Sequence, residues 1–310
     1  MEKPVIVISK CINFEAVRYN GGIVKDEFAE KLEKYVEYIK VCPEVSIGLP
    51  VPRDPLIVFK KDGKCHFIQE KNNKDLTDEI LKFSDNFLNS LSEVDGFLLK
   101  GKSPSCGFSG TNIYYEKNGK RFSYKGKGIF AQKVQEKFPL LPVEDEGRLK
   151  NESIRYDYLL KVFSFFELKN VLKNFKSMRD ILEFHQRYKY ILMIYNQKEA
   201  RFLGKLLASY NKKNNKEILE NYTYHFYRSF LKIPSSKSYT NTILHIYGYF
   251  KEKLNQNEKK HFLSLIEKYK NEQIPLKLLI EILKNFAFRF ENEYFLKQRF
   301  LFPFPEELLE

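Results

Sequence analysis

Cys11, Cys42 and Cys106 each follow a short apolar run, and no two of them form a C-x2-C pair. The thiolate is the nucleophilic and metal-binding form of cysteine. Three thiolates brought together suit an iron-sulfur cluster or a zinc ion, since both take Cys ligands. Each cysteine taken singly reads more readily as a small buried hydrophobe, and it is their common placement at strand ends that points to a site. Cys65 is different, because it follows Lys61-Asp62-Gly63-Lys64, a turn signal that closes a hairpin, and it is expected to be structural.

The elements that would position the three cysteines can be read from the same stretch. Val5 to Ser9 (VIVIS) is a β-branched run with the pattern of a buried strand. Tyr38 to Val41 reads as a second strand, ended by Cys42 and by Pro43, which cannot continue a ladder. Asp95-Gly96 turns the chain into a third strand, Phe97 to Lys100, which runs out through Gly101 to Gly107. A helix is predicted over Lys25 to Lys34. Another is predicted along Leu76, Ile80, Phe83, Phe87 and Leu91, which share one face of a 3.6-residue period. Strands alternating with helices predict an open, mainly parallel, Rossmann-like sheet. Ligands bind at the carboxyl edge of such a sheet, where the three cysteines would meet.

Glycine usage divides the chain, because 12 of the 14 glycines lie in residues 1–150. The expected architecture is an α/β N-terminal domain, residues 1–155, followed by an all-α C-terminal domain, residues 156–310. In the second half Ser177 and Asp180 form a capping-box pattern ahead of Ile181, Phe184, His185, Tyr188 and Leu192. Further helices are predicted over Ile243 to Leu254, Lys259 to Tyr269 and Leu276 to Phe288. His185 and His245, on aromatic helix faces, read as hydrogen-bonded core or groove residues rather than ligands.

At 310 residues and 43% hydrophobic, the chain is long enough to bury one or two cores. Four cysteines are too few for a disulfide scaffold. No apolar run approaches the roughly 18 to 20 residues of a membrane span, and the opening apolar stretch is too short for a signal peptide. The expectation is a soluble, cytoplasmic protein with no membrane partner. The net charge of +13 divides into +3 over residues 1–150 and +10 over residues 151–310. That asymmetry fits a polyanion such as nucleic acid, or simply a basic solvated surface. Aromatics stand among the cations in Arg187-Tyr188-Lys189-Tyr190, in Tyr210 with Lys212, Lys213 and Lys216, and in Tyr224 to Arg228. Exposed rings with nearby cations suit RNA, which makes Arg187, Lys189, Lys212, Lys213 and Arg228 candidate contacts.

Beyond these patterns, the chain resembles the thiouracil desulfidase family. The resemblance is carried by Cys11 with Val17-Arg18-Tyr19-Asn20-Gly21-Gly22, then Val41-Cys42-Pro43-Glu44-Val45, Ile47-Gly48-Leu49 and Val51-Pro52-Arg53. It continues through Lys102-Ser103-Pro104-Ser105-Cys106-Gly107, Gly128-Ile129-Phe130-Ala131 and Phe138 to Glu144. The second half is similar to the helical domain often fused to that family, through Glu183 to Tyr190, Leu203-Gly204, His245 to Phe250, Ile274-Pro275-Leu276 and Phe302-Pro303-Phe304-Pro305.

The resemblance implies a [4Fe-4S] cluster held by Cys11, Cys42 and Cys106, with one iron open to the soft sulfur of a thiocarbonyl. It implies a hydrolytic, non-redox desulfuration in which water replaces sulfur at the carbon and hydrosulfide leaves. Proton transfer would fall to Glu44 and Ser103. Glu44 has an alternative as a helix cap or a partner of Arg53, and Ser103 as a bond to its own turn. Arg18, Arg53 and Lys102 would hold a phosphate or the pyrimidine edge, and the turn at Asn20 would approach the ligand closely. The expected function is removal of sulfur from 4-thiouridine in tRNA. One alternative is the same chemistry on free thiouracil or 4-thiouridine monophosphate, and another is a noncatalytic RNA-binding protein with a structural metal.

Overall fold

The computed structural model describes residues 2–211 and 215–309, which form two compact units: 2–166 with 307–309, and 167–306. The first unit opens with β1 (Val5–Ser9), α1 (Glu27–Glu33), β2 (Glu37–Val41) and α2 (Pro43–Ser46). It continues with β3 (Leu56–Lys61), β4 (Lys64–Gln69), β5 (Lys74–Asp75), α3 (Thr77–Ser90) and β6 (Gly96–Leu99). It then holds β7 (Thr111–Lys117), β8 (Lys120–Gly126), α4 (Ile129–Lys137), β9 (Val143–Asp145) and the start of α5 (Glu152–Lys173).

Four strands form a parallel sheet in the order β2-β1-β6-β9. Ile6, Val7, Ile8, Phe97, Leu98 and Leu99 have no exposed surface. An unbroken apolar run is what a parallel strand needs when both of its faces are covered. The chain leaves β1 for β2 on one side and later places β6 on the other. The carboxyl ends of β1 and β6 therefore bound a topological switch point, where the sheet opens a crevice.

A second sheet, in the order β5-β4-β3-β7-β8, is mixed: β3 runs parallel to β7 and the other pairings are antiparallel. The hairpin expected at Lys61 to Lys64 is its β3–β4 pair. The rest of the sheet is absent from the sequence reading for a physical reason. All but the last residue of β8 is exposed, so it lacks the alternation that marks a strand with one buried face. Helix α3 serves both sheets: Ile80 packs into the core of the mixed sheet, whereas Phe83, Phe87 and Leu88 pack into the core of the parallel one.

In the second unit, α5 ends and is followed by α6 (Met178–Tyr195), α7 (Gln197–Ala208), α8 (Asn215–Ser229), α9 (Ser236–Phe250), α10 (Gln256–Lys270), α11 (Leu276–Arg289) and the short α12 (Glu293–Leu296). The helix starts follow from local chemistry. Asp180 Oδ2 accepts the Ser177 N–H at 2.9 Å, and Asn255 and Glu258 exchange bonds of 2.8 and 3.0 Å. Much of the aromatic content is core: Phe184, Tyr188, Tyr222 and Phe226 pack ring against ring and are fully buried. Among the described residues, no helix is long and apolar enough to cross a membrane.

The loop after β6, which carries Cys106, is pinned to the start of α4. The N–H groups of Gly128, Ile129 and Ala131 donate to the carbonyls of Gly107, Pro104 and Ser105. These are donors that a helix N-terminus otherwise leaves unpaired. A Cβ on Gly128 would lie 2.4 Å from the Ser105 carbonyl oxygen and 2.8 Å from that of Pro104, both backbone atoms that cannot swing away. Gly128→Ala is therefore expected to destabilise the first unit by about 1–3 kcal/mol, as overpacked sites do. Urea unfolding followed by circular dichroism measures this, and an unchanged midpoint would show that the loop yields.

Candidate active site

Cys11 lies two residues past the end of β1, Cys42 sits at the N-cap of α2 directly after β2, and Cys106 lies in the loop beyond β6. All three line one pocket of about 320 Å³ at the carboxyl edge of the parallel sheet, which is within the usual range for ligand sites. Val17, Arg18, Tyr19, Glu44, Arg53, Lys102, Ser103 and Ser105 are among its other lining residues. Asn20 does not line the pocket; its Oδ1 accepts the Gly22 N–H at 3.1 Å within an exposed turn. Cys65 lies in β4, half-buried and opposite Lys60 in the second sheet, away from the three.

Burial pushes the Cys11 thiol up to about 12, and the neighbouring Cys42 adds to the effect. Burial also raises Cys42, against backbone N–H groups at the start of α2 that act in the opposite direction. Cys106 is raised in the same way, with a bond from Ser9 opposing. Three thiols out of water thus hold their protons unless a cationic group replaces them. No histidine lines the pocket, so its metal-binding donors are soft sulfur, which suits iron-sulfur chemistry. Among the described residues no three His, Cys, Asp or Glu side chains converge to hold a single metal ion; the cysteines stand around the pocket wall. In a polynuclear cluster each cysteine binds a different iron, and the donor set fits that group.

Beside the cysteines runs a chain of hydrogen bonds. Glu44, 7% exposed, pairs with Arg53, 9% exposed: Arg53 Nε donates to Glu44 Oε2 at 2.8 Å, and the same oxygen lies 2.6 Å from an Arg53 terminal nitrogen. The other carboxylate oxygen, Oε1, accepts the Ser105 hydroxyl at 2.6 Å. Ser105 Oγ in turn lies 3.0 Å from Ser103 Oγ. Ser103 Oγ also accepts the backbone N–H groups of Ser105 and Cys106. Glu44 and Ser103 therefore make the structural bonds open to them and also face the pocket. Ser105 is the member that sequence reasoning missed, since a serine inside a loop carries no periodic signal.

Arg53 is committed to the protein. Its guanidinium also donates to the carbonyls of Val17 at 2.9 Å and Pro50 at 3.3 Å, and its backbone N–H donates to Tyr19. It anchors the loop that forms the pocket mouth. Lys102 takes the left-handed conformation, φ 61°, which is costly for a residue with a Cβ. Lys100 is ion-paired with Glu146, whose other oxygen accepts the Gly101 N–H at 2.7 Å. Another charged pair thus flanks the site.

The candidate RNA contacts sit in the second unit. Arg187 is paired with Glu167 at 2.8 Å and Arg228 with Glu199 at 3.4 Å. Lys189 lies 5.5 Å from the Tyr190 ring. Lys212 and Lys213 lie outside the described residues. His185 is half-buried and bonded to the Tyr222 hydroxyl at 3.2 Å, and loss of solvent around the ring lowers it to about 4. His245 lies between the rings of Tyr190 and Tyr249.

Comparison with known proteins places this geometry in context. Residues 6–146 match the family model of 2-thiouracil desulfurase, and residues 189–305 match that of a protein of unknown function, DUF1722. The chain is 26% identical over 147 residues to the YbgA protein of Escherichia coli (strain K12), covering 46% of this chain and 85% of that one. It is 28% identical over 134 residues to the YbbK protein of Bacillus subtilis (strain 168), covering 41% of this chain and 87% of that one. A solved structure, the [4Fe-4S]-dependent thiouracil desulfidase TudS, is similar at 28% identity over 48% of this chain and 94% of that one, with a TM-score of 0.36. The first unit thus carries a region that matches 2-thiouracil desulfurase, and the second a region that matches DUF1722.

Proposed function

We propose that this protein is a desulfidase that removes sulfur from 4-thiouridine in tRNA, giving uridine and hydrosulfide. The observation that carries the reading is one pocket in which three thiols, two buried and that of Cys42 half-buried, delivered by three parallel strands, stand beside the Glu44–Ser105–Ser103 chain. Cys11, Cys42 and Cys106 would hold a [4Fe-4S] cluster. When bound, that group would supply a soft Lewis acid that polarises a thiocarbonyl and accepts its sulfur, with no change of oxidation state.

The chain's own residues supply the proton traffic. Glu44 Oε1 takes a proton from the attacking water, directly or through the Ser105 hydroxyl that already donates to it. Ser103 Oγ, 3.0 Å from Ser105 Oγ, presents a hydroxyl proton to the departing group. Arg53 positions Glu44 from the opposite oxygen and leaves Oε1 toward the serines. Arg18 and Lys102, at the pocket wall, are cations available to a nucleotide phosphate or to the pyrimidine edge. The basic second half supports tRNA as the carrier of the base, which would be extruded from its stack to enter the pocket. A second reading, the same chemistry on free thiouracil or its nucleotide, is favoured by one observation: two of the candidate RNA contacts, Arg187 and Arg228, are already ion-paired.

Glu44→Gln, Ser103→Ala and Ser105→Ala are expected to retain the brown iron-sulfur absorbance while losing about 10²–10⁴-fold in turnover, the usual contribution of proton transfer. Wild-type rates with intact absorbance would remove these residues from the chemistry. The two substrate readings separate in anaerobic sulfide release from 4-thiouridine in intact tRNA against free 4-thiouridine monophosphate. Faster release from tRNA, falling steeply with salt, is the expected result. Preference for the free nucleotide with little salt dependence would select the second reading.

A further inference from the structure

The mixed sheet of the first unit carries a surface that the desulfuration site does not use. Strands β3 and β7 run in the same direction, so the two-residue turns that follow them, Asp62-Gly63 and Asn118-Gly119, lie at one edge of the sheet. All four turn residues have positive φ, between 50° and 78°. That is the turn geometry that matches the twist of the flanking strands and fixes their register.

The register decides which side chains share a face. Tyr115 pairs with Phe122 and with Lys60, Lys117 pairs with Lys120, and Tyr124 lies two residues along β8 from Phe122. Side chains alternate along a strand, so Lys60, Tyr115, Lys117, Lys120, Phe122 and Tyr124 stand on one face. The inner end of this face is core, formed by Val58, Phe67 and Ile113 under α3. Its outer end emerges into solvent, where Phe122 is 45% and Tyr124 is 44% exposed. Tyr115 and Phe122 stack at 5.7 Å between centroids, Tyr115 and Tyr124 lie at 6.1 Å, and Lys60 Nζ lies 6.0 Å from the Tyr124 ring. No acidic side chain occupies this face among those strand positions, since Glu116 points to the opposite side and Asp62 is in a turn.

We infer that this face is an RNA-docking platform, with the rings stacking exposed bases and Lys60, Lys117 and Lys120 pairing with phosphates. Two solvated aromatic rings beside a third are costly to leave exposed unless something covers them. Three cations with no acid among them specify a polyanion rather than an ordinary apolar partner. The strand also leads to the pocket: the Thr111 hydroxyl at the start of β7 donates to the Ser103 carbonyl at 3.0 Å. Tyr115 is four residues further on, about 13 Å at the rise of an extended strand. The inference rests on the RNA half of the reading above and not on its desulfuration chemistry.

The test uses the full chain and a fluorescein-labelled, unmodified tRNA transcript, with binding followed by anisotropy over a salt series. Phe122→Leu and Tyr124→Leu keep apolar bulk but remove the ring, and each is expected to weaken binding at least about fivefold. Phe122→Tyr should restore it. The double variant Lys117→Gln with Lys120→Gln should flatten the slope of log affinity against log salt by roughly 1.4, the single-strand value for two phosphates. Sulfide release from free 2-thiouracil should be unchanged in all of them. Ring-dependent binding supports the platform whether or not the chain releases sulfide, so the two readings fail separately. Three results would overturn the inference: no binding by the wild-type chain at low salt, equal binding by the Leu variants, or an acidic polypeptide competing as well as RNA in a ring-dependent manner.

Discussion

Gathering three cysteines around one pocket, two of them buried and one half-buried, imposes the constraint around which the first unit is organised. A thiol out of water resists ionisation, and two thiolates near each other resist it further: burial raises Cys11, Cys42 and Cys106, and neighbouring cysteines add to the effect at Cys11 and Cys106. A pocket of this kind is inert as a set of acids and bases. It becomes a strong site for a group that brings positive charge and tolerates sulfur on every side. Sheet order meets the geometric demand, since placing β2 and β6 on either side of β1 brings cysteines 31 and 64 residues apart in sequence to one edge.

The proton transfer proposed for Glu44 would require a carboxylate that stays oriented with little water around it. The Glu44–Arg53 pair meets this requirement through division of labour between the two oxygens. Arg53 occupies Oε2, and the serine hydroxyl approaches Oε1. A buried ion pair gains little net stability by itself, but its removal leaves a charge stranded. The same guanidinium holds the Val17 and Pro50 carbonyls. The mouth of the pocket and the orientation of Glu44 are therefore fixed by a single side chain.

Much of this was legible in the sequence, and the rest was not, for reasons specific to each element. The three central strands announce themselves because both of their faces are buried: Val5 to Ser9 was read with its observed limits, and the other two strands were displaced by no more than one residue at either end. The placement of three cysteines at strand ends followed directly. The mixed sheet was visible only at its β3–β4 turn, because β8 alternates nothing against a core. The sequence offers Arg53 both as a substrate cation and as a partner of Glu44; the second is the bond it makes. Ser105 was missed because neither its spacing nor its residue type sets it apart from any loop serine. Hydrogen-bond partners 61 residues apart are set by tertiary approach, which no local pattern encodes.

Net charge is the weakest of the sequence signals, and the structure shows why. In the half that carries +10 some cations are engaged internally, Arg187 and Arg299 both with Glu167 and Lys284 with Glu281 and Glu306, so its excess lies on other side chains. The half that carries only +3 concentrates Lys60, Lys117 and Lys120 on one face beside exposed rings and directs its acids elsewhere. A polyanion responds to the local field within about a Debye length, roughly 8–10 Å, and not to the sum over a domain. A modest total with cations gathered on one face can therefore attract RNA more strongly than a larger total spread over a surface. The local field thus favours, as the proposed nucleic-acid contact, a particular pair of hairpins over a whole domain.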